Sequence, residues 1–598
     1  MNSCRASIVF AAVLALAASA AAQDQPPAAT GAPTPLGGTT APVSTTPPPP
    51  DDQPPAANTI PTEFKPGILG NPTQSGVTEA DLTGLVDGPP VGTLDEAHGG
   101  LGPSMWVNAP REAIEDLLGR IPFVSADPFV RSLSRRILLT PSEAPAGAAK
   151  RALVTIRIEK LLQGGSIDDA GTIAASLHLD NDPDFARVQA DAFLYAGRDK
   201  DICGDLTATR LTSPDPFWLQ LRIYCFAAGG DKDSADLAHA ALDGLGVKDP
   251  AFDLLVADAV NGAKKPVATI DHPTALHIYL LRKAGLPVTN AIAAKLGTAA
   301  NVFAARETRN APGDRLSAAS RIAATGALSN AELLAILNLQ TVPAKDLAQA
   351  QAIAAKLTFL PAQGVLRRAA LLEPRPPAKT ELLLAALSAG GHPDRLPQTA
   401  AMQGDVALAL KPDATVARGR PVVPHALVLI GKTDAAATWF AGAADSEDLH
   451  AFQILIDFAA PSAAHDSTAQ AAYAWFAANA APQKNPDAQA ALALGLADVL
   501  GRPMPPVARS LAANLEGMHW PSAGPRPDGA EIRKLEEAAS QPGRKGEVAL
   551  RVLDIVGAGG PHDLPADVVI ECARVLVQAG LPNEAKALAI EALAMQGP

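Results

Sequence analysis

The stretch DPFWLQLRIYCFAAGGDKD, residues 215–233, decides the reading of the chain, because DPDFARVQADAFLYAGRDKD, residues 182–201, repeats its punctuation. Both open on Asp-Pro, run through aromatic and aliphatic residues, and close on Gly and Asp-Lys-Asp. Aspartate at a helix N-cap accepts hydrogen bonds from the orphan amides, and Pro at the next position has a preset φ and no amide to leave unpaired. Asp182-Pro183, Asp215-Pro216 and Asp249-Pro250 therefore read as helix starts 33 and 34 residues apart, with Asp127-Pro128 as an earlier relative. Behind each start, apolar residues recur three and four apart; Trp218, Leu221, Tyr224 and Cys225 form one such face. Gly165, Gly197 and Gly229, spaced by 32, mark the stops, and Asn261 falls 32 further on. Gly, and less often Asn, accepts the left-handed conformation that ends a helix. An acidic turn and a second, Ala-rich helix such as ADLAHAALDGL follow. The unit is helix, turn, helix in about 33 residues, clearest over 148–262, the period of stacked helical hairpins.

That pattern, with its Ala-rich composition, predicts an all-α protein: an α-solenoid of antiparallel hairpins. Beyond 262 the period blurs while helix signals persist. Ser329 with Glu332 three residues on forms a capping box, and Asn485-Pro486 opens a segment that Gly501 closes. EPRPP, 373–377, and the Pro-rich stretch at 521–527 read as interruptions. The expected organisation is a helical array over 108–372, a middle array over 378–520 and C-terminal hairpins over 528–598. The last hairpin, 564–596, is expected to cap the array.

The N-terminus carries other information. MNSCR, the apolar run IVFAAVLALAA and the small residues before Gln23 follow the order of a secretory signal peptide, 1–22. Residues 23–62, rich in Pro, Ala and Thr, have almost nothing to bury and read as a disordered tether. Residues 63–107 read as an irregular cap on the first helices, carrying Trp106. No later segment reaches about 18 uninterrupted apolar residues, so no transmembrane segment is expected after signal cleavage. Together with Ala, Gly and Pro usage, the leader points to a bacterial, periplasmic protein.

The formal charge of -13 argues against nucleic acid, whose phosphates need clustered Lys and Arg. The densest basic cluster, RSLSRR at 131–136, reads as one solvated helix face. Cys203 and Cys225 fall in the second helix of one unit and the first of the next. In an oxidising compartment that placement predicts a disulfide, with two buried thiols as the alternative. Cys572 reads as a core thiol. His272 and His277 lack metal-ligand spacing, GKT at 431–433 lacks the earlier Gly of a phosphate loop, and no hydrolase or dinucleotide motif is present. No cofactor or metal is expected. The pairs Glu115-Asp116 and Glu536-Glu537 read as solvent-facing. Phe217, Trp218, Tyr224 and Phe226 form the densest aromatic patch in a chain only 4% aromatic. The patch is either a peptide or glycan contact on a concave face or inter-helix core.

The repeat length, the helix-turn-helix plan and the Gly-x-x-x-x-Ala step from Gly230 to Ala235 resemble the tetratricopeptide family. The family's Leu-Gly pair is replaced by Leu221-Arg222, and Asp-Pro starts stand in for its terminal Pro. The resemblance implies stacked hairpins exposing a long surface for protein binding, with no catalytic residues. The expected role is an exported, non-enzymatic scaffold for another cell-envelope protein or complex. One alternative is a peptidoglycan-associated protein sharing the superhelix of lytic transglycosylases, which requires a cleft with a buried carboxyl of raised pKa. The other is an accessory of a secretion or flagellar machine.

Overall fold

Each Asp-Pro pair starts a helix by the expected chemistry. The side chains of Asp127, Asp182, Asp215 and Asp249 accept from the amides of Val130, Phe185, Phe217 and Phe252, at 2.8, 2.9, 2.9 and 3.1 Å. The helices so opened are Pro128–Leu139, Pro183–Ala196, Pro216–Ala228 and Pro250–Asn261. The computed structural model describes residues 87–595 apart from 178, 180–181, 205–214, 263–264, 266, 389–394, 413–421, 441–445, 462, 481–487 and 515–525. Among the described residues there are 29 α-helices and no strand, only a single bridge between Pro110 and Ala146. The described part of the protein is all-helical. The leader, the tether, the cap segment up to 86 and the Asn485-Pro486 start lie outside the described residues, as does most of the Pro-rich stretch near 521.

The stops follow the period with a one-residue adjustment. Left-handed φ values fall at Gly165 (+79°), Gly197 (+66°), Gly230 (+80°) and Gly262 (+70°). Gly229 stays right-handed, and Asn261 is the last helical residue. Where glycine follows a candidate stop, the residue with no Cβ takes the strained position.

Consecutive helices pack on one another: Leu153–Gln163 on Ile167–Ala175, Pro216–Ala228 on Lys232–Gly244, Phe359–Leu372 on Pro376–Ser388. The last pair shows that the 373–377 stretch is a tight turn and not a break. Pro376 sits at the first position of the second helix, where a missing amide costs nothing.

Other contacts join elements far apart in sequence. Lys545–Val556 packs on Arg111–Arg120 and Pro128–Leu139; Pro582–Met595 packs on Pro128–Leu139, Val422–Leu429 and Glu447–Ala459. The last hairpin thus meets the first helices, which a cap resting only on its predecessor would not do. Trp106, fully buried, is fixed by its indole N–H donating to the Glu143 carbonyl at 2.9 Å, while the Gly546 amide donates to the Met105 carbonyl at 2.6 Å. A Cβ on Gly546 would stand 2.9 Å from the Trp106 ring, so glycine is what admits the indole. One continuous apolar core runs from Leu101 to Met595. A second, small core of Ala350, Ala354, Ala362, Val365, Leu366, Ala369 and Ala386 underlies the helices around 344–388.

Candidate functional site

The residues singled out from sequence fall mostly into the interior. Phe217, Trp218 and Tyr224 are all buried. The Phe217 ring lies under the Arg187 guanidinium, 3.7 Å from its centroid, and the Tyr224 hydroxyl meets that of Tyr279 at 3.2 Å. The aromatic cluster is inter-helix core, and the surface-patch reading is corrected accordingly. The sulfurs of Cys203 and Cys225 stand at disulfide distance, 2.06 Å. Cys572 is buried, and burial pushes its thiol up to about 12.

The basic cluster is not a free face. Arg131 donates to the Ser125 carbonyl at 2.9 Å, Arg135 pairs with Asp169 at 2.9 Å, and Arg136 pairs with Glu584. The expectation for Glu115 is also corrected: it is buried and accepts from Arg111 at 2.7 Å, whereas Asp116 faces solvent.

Three polar arrangements could suggest chemistry. In the first, the Thr274 hydroxyl lies 2.9 Å from His277 Nδ1, and His277 Nε2 lies 3.1 Å from Asp249. The order imitates a nucleophile–base–carboxylate chain. However, Thr274 is the N-cap of Ala275–Ala284, its own amide donates to His277 Nδ1 at 3.2 Å, and the imidazole is buried. The set closes two helix starts. The second is Asp127 with Glu591, both buried. Glu591 accepts from the Phe129 amide at 3.0 Å, and burial followed by the adjacent Asp127 charge holds it well above the ordinary range. This is the raised carboxyl that a glycan-cleaving reading requires, yet it caps a helix and does not line the grooves described next. The third is Asp457, which takes Tyr473 at 3.0 Å and Arg502 at 2.9 Å and ties a helix pair to the loop after the next helix, Ala488–Val499.

Two grooves remain. One, of about 920 Å³, lies between the Arg111–Arg120 and Leu153–Gln163 helices and the helices beginning at Gly529 and Lys545. Its charges are largely spent on one another, with Lys150–Glu112 at 2.7 Å, Arg151–Glu159 at 2.6 Å and Lys534–Glu531 at 2.8 Å. Exposed pairs of this kind leave a wet, self-neutralised surface.

The other, of about 260 Å³, is largely apolar. It is made by FLPAQGVLRRAALL, the helix Phe359–Leu372. This helix is apolar on more than one side, so burying one face leaves another uncovered. Leu360, Leu366 and Ala370 point into the protein. Pro361, Gly364, Val365, Arg368, Leu371 and Leu372, three or four residues apart, form a second stripe along the groove. Leu371 is 52% and Leu372 65% exposed, and Leu357 just before the helix is 41% exposed. Leu337 and Val342 make the opposite wall. A Cβ on Gly364 would come within 2.9 Å of Leu337 Cδ2, so glycine sets the closeness of the two walls. The charged lining residues are Arg367 and Arg368. Arg367 is held by the Met402 carbonyl at 2.7 Å and by Asp405, whereas Arg368 is exposed. Sequence reasoning missed this groove. Its signal was a helix whose leucines outnumber what one buried face can cover, beside a Pro-rich turn read as an interruption.

No protein-family model matches the chain, and neither a curated protein nor a solved structure is similar to it. The fold and the groove define an all-helical protein with an uncovered apolar stripe.

Proposed function

We propose that this is an exported, non-enzymatic scaffold of degenerate tetratricopeptide-like hairpins. It docks another protein or complex of the cell envelope on the groove between Leu337 and Leu372. The observation that carries this reading is the exposure of Leu357, Leu371 and Leu372 together at the groove: large apolar side chains grouped on a surface suit an interaction site. Export is supported by the leader pattern in residues 1–22 and by the Cys203–Cys225 pair, since disulfides persist in oxidising compartments. No described helix is long and apolar enough to cross a membrane. An accessory of a secretion or flagellar machine is the same docking with one large assembly as partner.

The test is affinity capture by residues 23–598 from cross-linked envelopes, beside the L371E/L372E variant and isolated peptidoglycan sacculi. One complex captured by the unaltered chain and lost from the variant is the expected result. Capture indifferent to the two leucines, or pelleting with sacculi and release of muropeptides, overturns it.

A further inference from the structure

We infer that the groove takes an amphipathic α-helix of about three turns whose leucine stripe is bordered by carboxylates, an inference that rests on the docking reading above. Shape comes first. The stripe from Pro361 to Leu372 extends about 16 Å at 1.5 Å per residue, with Leu337 and Val342 lining the groove across from it. A helix ridge seats in such a trough. Other peptide conformations find less here. Strand addition needs an open sheet edge, and the described residues contain no strand. Polyproline segments dock on aromatic-lined grooves, and the lining of this one has no aromatic residue.

Charge sets the flank of the stripe. The lining carries two guanidiniums and no carboxylate, in a protein whose formal charge is -13. Arg367 is already held by Asp405, so Arg368 is the cation that a carboxylate beside the partner's stripe would meet. With the chain as a whole at a formal charge of -13, the partner's negative charge is best confined to that border. A second copy of this chain fits poorly, since two-fold pairing across the stripe would bring Arg368 against Arg368. A bilayer fits poorly too. Leu337 and Val365 in the two walls are buried, and a flat surface would touch the exposed leucines alone.

The probes are two fluorescein-labelled helical peptides with one leucine stripe, flanked by Glu in the first and by Lys in the second. Binding to residues 23–598 is read by fluorescence anisotropy, with L372E and R368E measured beside the unaltered chain. Both positions are exposed, so neither substitution disturbs the core, and circular dichroism checks this. The Glu-flanked peptide is expected to bind about tenfold tighter than the Lys-flanked one. R368E should abolish that preference, and L372E should weaken both peptides. Equal binding of the two peptides, or no binding of either, overturns the inference. So does L372E-sensitive binding to phosphatidylglycerol vesicles, or an L372E-sensitive dimer in place of peptide binding. If the peptides fail while envelope capture still depends on Leu371 and Leu372, the helix is wrong and the docking stands. If capture fails as well, the docking itself is wrong.

Discussion

Asp127 and Glu591 share one buried site at the junction of the first and last parts of the helical unit. Burial raises both carboxyls; the Asp127 charge pushes Glu591 further up, whereas the hydrogen bond from Glu591 favours the ionised form of Asp127. The compensating cation is Arg131, on the helix that Asp127 caps, and it does not restore the ordinary range of either carboxyl. A carboxyl raised in the folded state binds a proton that the unfolded chain releases near its ordinary value of 4.5. Its contribution to stability is therefore complete below that value and is lost as pH rises toward the folded-state value. For one proton the slope is about 1.4 kcal/mol per pH unit across the window. E591Q keeps an acceptor for Phe129 and a donor for Asp127 while removing the titration. Urea unfolding between pH 4.5 and 8 should show the unaltered protein losing stability relative to E591Q. Parallel curves would show that the pair does not titrate in this window. None of this was legible in the sequence, where the two carboxylates stand far apart and no local pattern joins them.

At the scale of elements the sequence was informative where chemistry is local. The Asp-Pro starts fell at the expected residues because cap, amide and ring lie within four positions of one another. Asp182→Ala should accordingly cost about 1 kcal/mol in chemical denaturation. A cost indistinguishable from zero would mean that the Pro183–Ala196 helix is held by packing alone. The stops moved by one residue at Gly229-Gly230 and Asn261-Gly262, since two neighbouring residues competed for the left-handed position. The turn at 373–377 was misread because its prolines look like breakers until Pro376 is placed at a helix start. The groove on Phe359–Leu372 was misjudged for a related reason. Its leucines look like core in any periodic reading, and only the three-dimensional neighbours show which of two apolar faces stays uncovered.

At the scale of the molecule, the contacts that decide the arrangement join residues more than four hundred positions apart. Arg120 reaches Asp554 at 3.1 Å, Ser125 donates to the Ala558 carbonyl at 2.7 Å, and Phe129 donates to Glu591 at 3.0 Å. Repetition in sequence predicts neighbour packing and is silent on whether the last hairpin returns to the first. The ends meet through the buried caps and the Trp106 contact, while the leucine stripe lies on helices that carry their own small core. Cohesion between the two ends thus lies at this junction, away from the 337–372 region.

The central claim is that the stripe is covered by a partner in the envelope. The most direct measurement is site-specific photo-cross-linking in cells of the native source, with the photoreactive residue at position 372 and, as a control, at exposed position 237. The account predicts adducts with one envelope protein from position 372 and none with that protein from 237. The same adducts from both positions, or only lipid and self-adducts from 372, would contradict it.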